Sequence, residues 1–152
     1  MSISEEKIGV LLKKWQKTLR LRDWDIKHIL VTEKWRKSGD IKIDRANQMA
    51  ALMIHESVPE KQLEEVVVHE LLHLRLYGMD QMLEANIDII FGPDSSDPKK
   101  HFALNTFYIE LESTVENLTK ALLTIAGRDN EFWFNRVDRQ IDEELNVKKN
   151  RE

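Results

Sequence analysis

The stretch VVVHELLHLRLYG, which runs from Val66 to Gly78, constrains the fold of this chain more than any other segment. Its valines and leucines are as dense as those of a buried core, yet two histidines and a glutamate lie among them. Burying ionisable side chains is costly unless they have partners. The stretch therefore predicts a core element whose polar side chains converge on a ligand.

Signals for a helix surround this stretch. Ser57 is a suitable N-cap, Glu60 completes a capping box three residues later, and Pro59 fits a first turn. Gly78 is a residue type at which helices commonly end. We therefore expect one helix from Ser57 to Tyr77.

Within this predicted helix, residues 69–73 read HELLH. At about 100° per residue, His69 and His73 lie about 40° apart on the helix surface, so both imidazoles can bind one tetrahedral zinc ion. Glu70 points to the side of this pair, where its carboxylate can take a proton from an activated water molecule. The spacing predicts zinc as the cofactor, His69 and His73 as ligands, and Glu70 as the general base.

A catalytic zinc site needs a third protein ligand and an open fourth position. The segment LESTVE supplies Glu112 and Glu116, four residues apart beside the apolar stripe of a predicted helix. If that stripe packs on the His69 helix, Glu112 can be the third ligand, and Glu116 can accept a hydrogen bond from a ligand imidazole. Glu116 and His101 remain alternatives for the third ligand.

Hydrophobic periodicity along the rest of the chain predicts an α+β fold, with about three strands in a mostly antiparallel sheet. Residues 79–100 carry weak signals and include a loop, and we expect a single domain over residues 1–152. The predicted elements are an N-terminal helix from Ser4 to about Leu21, strands within 23–35 and on both sides of a break near 45–48, the 57–77 helix, and two C-terminal helices over 101–126 and 129–147.

Composition places the chain among ordinary globular proteins. Of its 152 residues, 41% are apolar and 33% are charged, and 23 basic against 27 acidic residues give a net charge of −4. This balance does not favour nucleic acid as a partner, and no apolar run approaches the roughly 18 residues of a membrane span. The absence of cysteine excludes disulfides and thiolate zinc sites. We expect a cytoplasmic protein, and the sequence leaves its oligomeric state open.

HELLH followed by a glutamate on a later helix, with an acidic residue four positions beyond, resembles the gluzincin branch of zinc metallopeptidases. The chain is also similar to small zincin-like proteins of bacteria and prophages over VVVHELLHLRLYGMDQ and FYIELESTVENLTKAL, and more weakly over LRLRDWDIKHI. The resemblance implies a zincin-like fold, zinc bound by His69, His73 and Glu112, Glu70 as general base, and a peptide or protein substrate. Arg75 departs from the extended pattern, which usually has an apolar residue there.

In this interpretation, the strand Met49–His55 would hold an extended substrate by β-augmentation. Candidates for stabilising the oxyanion are Tyr77, Tyr108, His101 and His55. Two other functions fit the same residues. One is a regulatory, phage-type protease that acts on a single intracellular partner, antirepressor-like or DNA-associated. The other is a non-catalytic binding module stabilised by zinc.

Overall fold

In the part of the chain that the structure describes, three strands and four α-helices make up the fold, in an order that matches the prediction of an α+β domain with one N-terminal and two C-terminal helices. The computed structural model of the chain describes residues 3–128, 132 and 134–149. In chain order the elements are α1 (Glu5–Thr18), β1 (Asp25–Val31), β2 (Gly39–Asp44), β3 (Met49–His55), a 3-10 turn (Glu60–Gln62), α2 (Leu63–Phe91), α3 (Pro98–Ile125) and α4 (Asn135–Lys149). The predicted start of the last helix, residues 129–131, lies outside the described residues.

Helix α1 begins where its sequence predicts. The backbone N–H of Lys7 donates to Ser4 Oγ at 3.3 Å, so Ser4 acts as the N-cap. The face that carries Ile8, Leu12 and Trp15 is buried. The helix ends at Thr18, three residues before the predicted end, and Arg20 just beyond it has a positive φ of 58°.

The sheet has the strand order β1-β3-β2 and is mixed. Strand β3 pairs with β2 in antiparallel fashion across the turn at residues 45–48, but it pairs with β1 in parallel. Strand β3 is therefore central, which corrects the expectation that Met49–His55 is a free edge for a substrate. Its side chains explain this position, because Leu52 and Ile54 are fully buried.

Helix α2 packs against the sheet, but its ends differ from the prediction. It begins at Leu63 after the 3-10 turn rather than at a Ser57 cap. The Oγ of Ser57 instead lies 2.6 Å from Nδ1 of His55. The helix also continues through Gly78 and ends at Gly92, where φ is +80°.

Packing of α3 along α2 explains why the helix passes Gly78. Beyond that glycine, the Tyr108 hydroxyl donates to Glu84, and Lys100 Nζ lies 2.8 Å from Asp88 Oδ1. These contacts join the second half of α2 to α3, and such tertiary contacts outweigh the cost of about 1 kcal/mol of one helical glycine. None of the helices in the described part of the chain combines the length and apolar character that a membrane span requires.

Candidate metal centre

Two imidazoles of α2 face α3 at the edge of the core. His69 and His73 are one turn apart, and their Nε2 atoms lie 3.2 Å from each other. The side chain of His69 is 13% exposed and that of His73 is 23% exposed, while Val67, Val68 and Leu71 of the same helix are fully buried. The apolar residues therefore anchor α2, and the two histidines come together at the edge of its buried surface, as their spacing predicts.

Helix α3 brings Glu112 to the same point. Its Oε1 lies 3.2 Å from His69 Nε2, and its Oε2 lies 3.2 Å from His73 Nε2. The buried Val115 and Thr119 of α3 hold this helix against the core and so set the position of Glu112 relative to α2. His69, His73 and Glu112 form a group that could hold a metal ion.

The dimensions of this group suit a small tetrahedral cation. Two ligand atoms bound at about 2.0–2.1 Å to one tetrahedral zinc ion are separated by about 3.3 Å. The Nε2 atoms of His69 and His73 are 3.2 Å apart, and each of them lies 3.2 Å from a different oxygen of Glu112. The three side chains thus converge closely enough for one atom of each to bind the same ion.

Glu116 contacts the other nitrogen of the first imidazole. Its Oε1 lies 3.3 Å from His69 Nδ1, one turn along α3 from Glu112. A carboxylate in this place selects the tautomer whose Nε2 is free to bind a metal, and it fixes the orientation of the ring. Glu116 therefore lies at the ring nitrogen opposite the one that faces Glu112.

The two glutamates change the acidity of the first histidine. Burial lowers the pKa of His69, but the hydrogen bonds to Glu112 and Glu116 outweigh burial and raise this pKa to about 10. The hydrogen bonds from His69 and His73 hold the pKa of Glu112 far below its usual value. The two carboxylates therefore stabilise a positive charge on the His69 ring.

Glu70 lies beside the imidazoles and is almost fully buried, with 8% of its surface exposed. Burial raises the pKa of its carboxyl above the usual value. The backbone of β2 approaches it closely at Gly39. A Cβ at this position would lie 2.6 Å from Val66 Cγ1 and 3.1 Å from Glu70 Oε1. Only glycine fits there without a shift of its neighbours.

The group opens into a cleft of about 1320 Å³. Its walls are the start of β2 with the residues before it, the facing sides of α2 and α3, and the start of α4. Tyr77 and Tyr108 line this cleft, whereas His55 and His101 do not. His101 is about 16 Å along α3 from Glu112, and His55 contacts Ser57 and the carbonyl of Glu33.

Sequence reasoning missed two residues of this site. Arg136 of α4 donates from Nη2 to Glu112 Oε1 at 2.9 Å, and nothing in the sequence connects positions 112 and 136. The sequence around Gly39 gives no sign of its role either, although its place against Glu70 depends on its lack of a side chain.

Similarity to known proteins adds nothing to this geometry. No protein-family model, curated protein or solved structure matches this chain. Conclusions about function therefore depend on the chemistry of the site itself.

Proposed function

We propose that the protein is a zinc-dependent metallopeptidase of the gluzincin type, in which His69, His73 and Glu112 hold the zinc ion. The observation that carries this proposal is the convergence of the three side chains: the two imidazole nitrogens are 3.2 Å apart, and each lies 3.2 Å from one of the two Glu112 oxygens. Two histidines and one carboxylate are a ligand set typical of catalytic zinc, because they leave a fourth position open. The cleft supplies access to that position.

The neighbouring residues have the properties that peptide hydrolysis needs. Zinc, when bound, supplies a Lewis acid that polarises the peptide carbonyl and makes water more acidic. Glu70 takes the proton of the attacking water and delivers it to the leaving amine, a task for which a carboxyl with a raised pKa is suited. Glu116 keeps the His69 ring oriented during this cycle.

An extended peptide has a natural place along β2. Among the described residues, β2 pairs only with β3, so its outer edge has backbone groups available for another strand. Gly39, Asp40, Ile41 and Ile43 of this strand line the cleft beside Glu70. A substrate bound to β2 by β-augmentation would pass the general base, a role that the central strand β3 cannot fill.

Zinc content tests the metal part of the proposal. We expect about one zinc per chain in the wild type and in His101→Ala, measured by mass spectrometry of the metal after dialysis. Glu112→Ala should lose most of the metal, because it removes one of three ligands. Retention of zinc by Glu112→Ala, together with its loss from His101→Ala, would overturn the assignment of the third ligand.

Glu70→Gln tests the hydrolytic part. The substitution keeps the shape of the side chain but removes its capacity to take a proton. On a mixture of unstructured peptides analysed by mass spectrometry, the wild type should cleave and Glu70→Gln should not, while both bind zinc equally. A wild type that binds zinc but cleaves no peptide would instead support a non-catalytic zinc module.

A further inference from the structure

The start of helix α4 forms part of the cleft wall. Its first turn and the residue before it contribute Phe134, Arg136, Val137 and Arg139 to the cleft lining. Arg136 reaches furthest into the site, since its Nη2 donates to Glu112 Oε1 at 2.9 Å. The same oxygen lies 3.2 Å from His69 Nε2. A residue of the last helix thus contacts a ligand atom of the candidate metal site.

The rest of α4 is weakly held. Its apolar residues Val137, Ile141 and Leu145 recur every four positions and form one stripe, yet each of them is about half exposed. In the described part of the chain, no other helix or strand packs closely against α4. By contrast, the stripe of α1 is buried in the core. Within the described residues, the contacts of α4 with the cleft lie near its start.

We propose that α4 is a lid over the metal site and that the ion pair between Arg136 and Glu112 is its latch. This inference rests on the proposed function, because it assigns regulation to the same site. In the closed position Phe134 and Val137 cover one side of the cleft. When the latch opens, α4 moves away from the cleft and a substrate gains access to β2 and Glu70.

The latch and the metal compete for the same carboxylate. A zinc ion at Glu112 withdraws electron density from the oxygen that accepts from Arg136, and its charge repels the guanidinium. Metal binding therefore weakens the latch. Since coupling between two binding events is reciprocal, removal of the guanidinium tightens metal binding.

The position of α4 can be measured without activity. The chain has no cysteine, so spin labels can be attached at two introduced cysteines alone. Glu110→Cys on α3 and Asp142→Cys on α4 are exposed positions that do not line the cleft. Pulsed dipolar spectroscopy of the full metal-free chain then reports the distribution of distances between α3 and α4.

We expect a narrow distribution for the labelled wild-type background and one at least twice as wide after Arg136→Gln. Glu112→Gln should widen it equally, and the double variant should add nothing further, because both substitutions break the same contact. Glu143→Gln, which removes a different charge from α4, should leave the distribution narrow. Equal widths with and without Arg136 would overturn the latch.

Zinc affinity supplies the second readout, measured in competition with a chromophoric chelator. We expect Arg136→Gln to bind zinc about 5-fold or more tightly than the wild type, within the usual range of coupling between sites. Unchanged or weaker binding would contradict the competition. If the wild type bound no zinc, the proposed function would fail, while the metal-free distance distributions would still decide whether Arg136 latches α4.

Discussion

Gly39 separates β2 from Glu70, the proposed general base, so a single methyl group at this position should disturb both stability and chemistry. In Gly39→Ala, the new Cβ would lie 2.6 Å from Val66 Cγ1, closer than non-bonded carbons approach, and 3.1 Å from Glu70 Oε1. Val66 is buried in the core, so β2 or α2 must move to relieve the overlap. Overpacking of this kind costs about 1–3 kcal/mol.

A smaller effect opposes this cost. Alanine restricts the unfolded chain more than glycine does, which contributes about 0.4–1 kcal/mol to stability where the backbone accepts it. The net expectation is a loss of up to about 2.6 kcal/mol, with a central value of about 1.3 kcal/mol. For a domain of this size, the central value lowers Tm by about 3–5 °C. Turnover should fall as well, because the displaced Glu70 carboxylate no longer meets the attacking water.

Gly78→Ala is the matched control. Its Cβ would meet only the end of the flexible Arg45 side chain, with Nη2 at 3.4 Å, and the position lies inside α2. Alanine in a helix is favoured over glycine by about 1 kcal/mol, so Tm should rise by about 2–4 °C. Thermal unfolding followed by circular dichroism measures both variants. If Gly39→Ala were as stable as Gly78→Ala, the close approach of β2 to Glu70 would be refuted.

Three further predictions concern the metal and the core. Zinc at a hundred times its Kd should contribute about 2.7 kcal/mol and raise Tm by about 5–11 °C in a thermal scan, and this shift should vanish in His73→Ala. Glu116→Gln should weaken zinc binding about 10-fold or more in a chelator competition, whereas Glu110→Gln, exposed on the same helix, should not. Burial raises the pKa of Glu64, but hydrogen bonds from a lysine and from the buried Trp15 outweigh it, so that this pKa lies below its ordinary value of 4.5. A depressed pKa contributes stability that is present above pH 4.5 and is lost as the pH falls through the pKa of the folded state. The free energy of unfolding that Glu64→Gln loses relative to the wild type, measured in urea, should therefore be largest near pH 7 and shrink below pH 4.5.

Local spacing explains why much of the site could be predicted. His69 and His73, like Glu112 and Glu116, are four residues apart, and helix geometry alone puts each pair on one face. The apolar stripe beside Glu112 then indicated which face of α3 packs on α2. Together these two observations predict that a glutamate lies beside the histidines. In the structure, the Glu112 oxygens lie 3.2 Å from the Nε2 atoms of the two histidines.

Contacts between distant segments could not be predicted in this way. Alternation of apolar residues identifies strands but not their partners, so the parallel pairing of β1 with β3 and the central place of β3 were missed. The same holds for Gly39 and Arg136, whose roles depend on how closely β2 and α4 approach the site. The residue type at each of these positions can be explained only once the tertiary arrangement is known.

Helix α2 ends later than its sequence predicts, and this affects the position of Glu112 in the candidate metal site. Because α2 continues past Gly78, α2 and α3 form a long antiparallel pair joined by a short loop after Gly92. Contacts step along both helices, from Lys100 with Asp88 near the loop to Glu112 with the histidines further away. These contacts set the register of the pair. A shift of α3 by one residue would rotate Glu112 by about 100° and remove it from the histidines. The part of α2 beyond Gly78 therefore helps to align Glu112, the proposed third ligand.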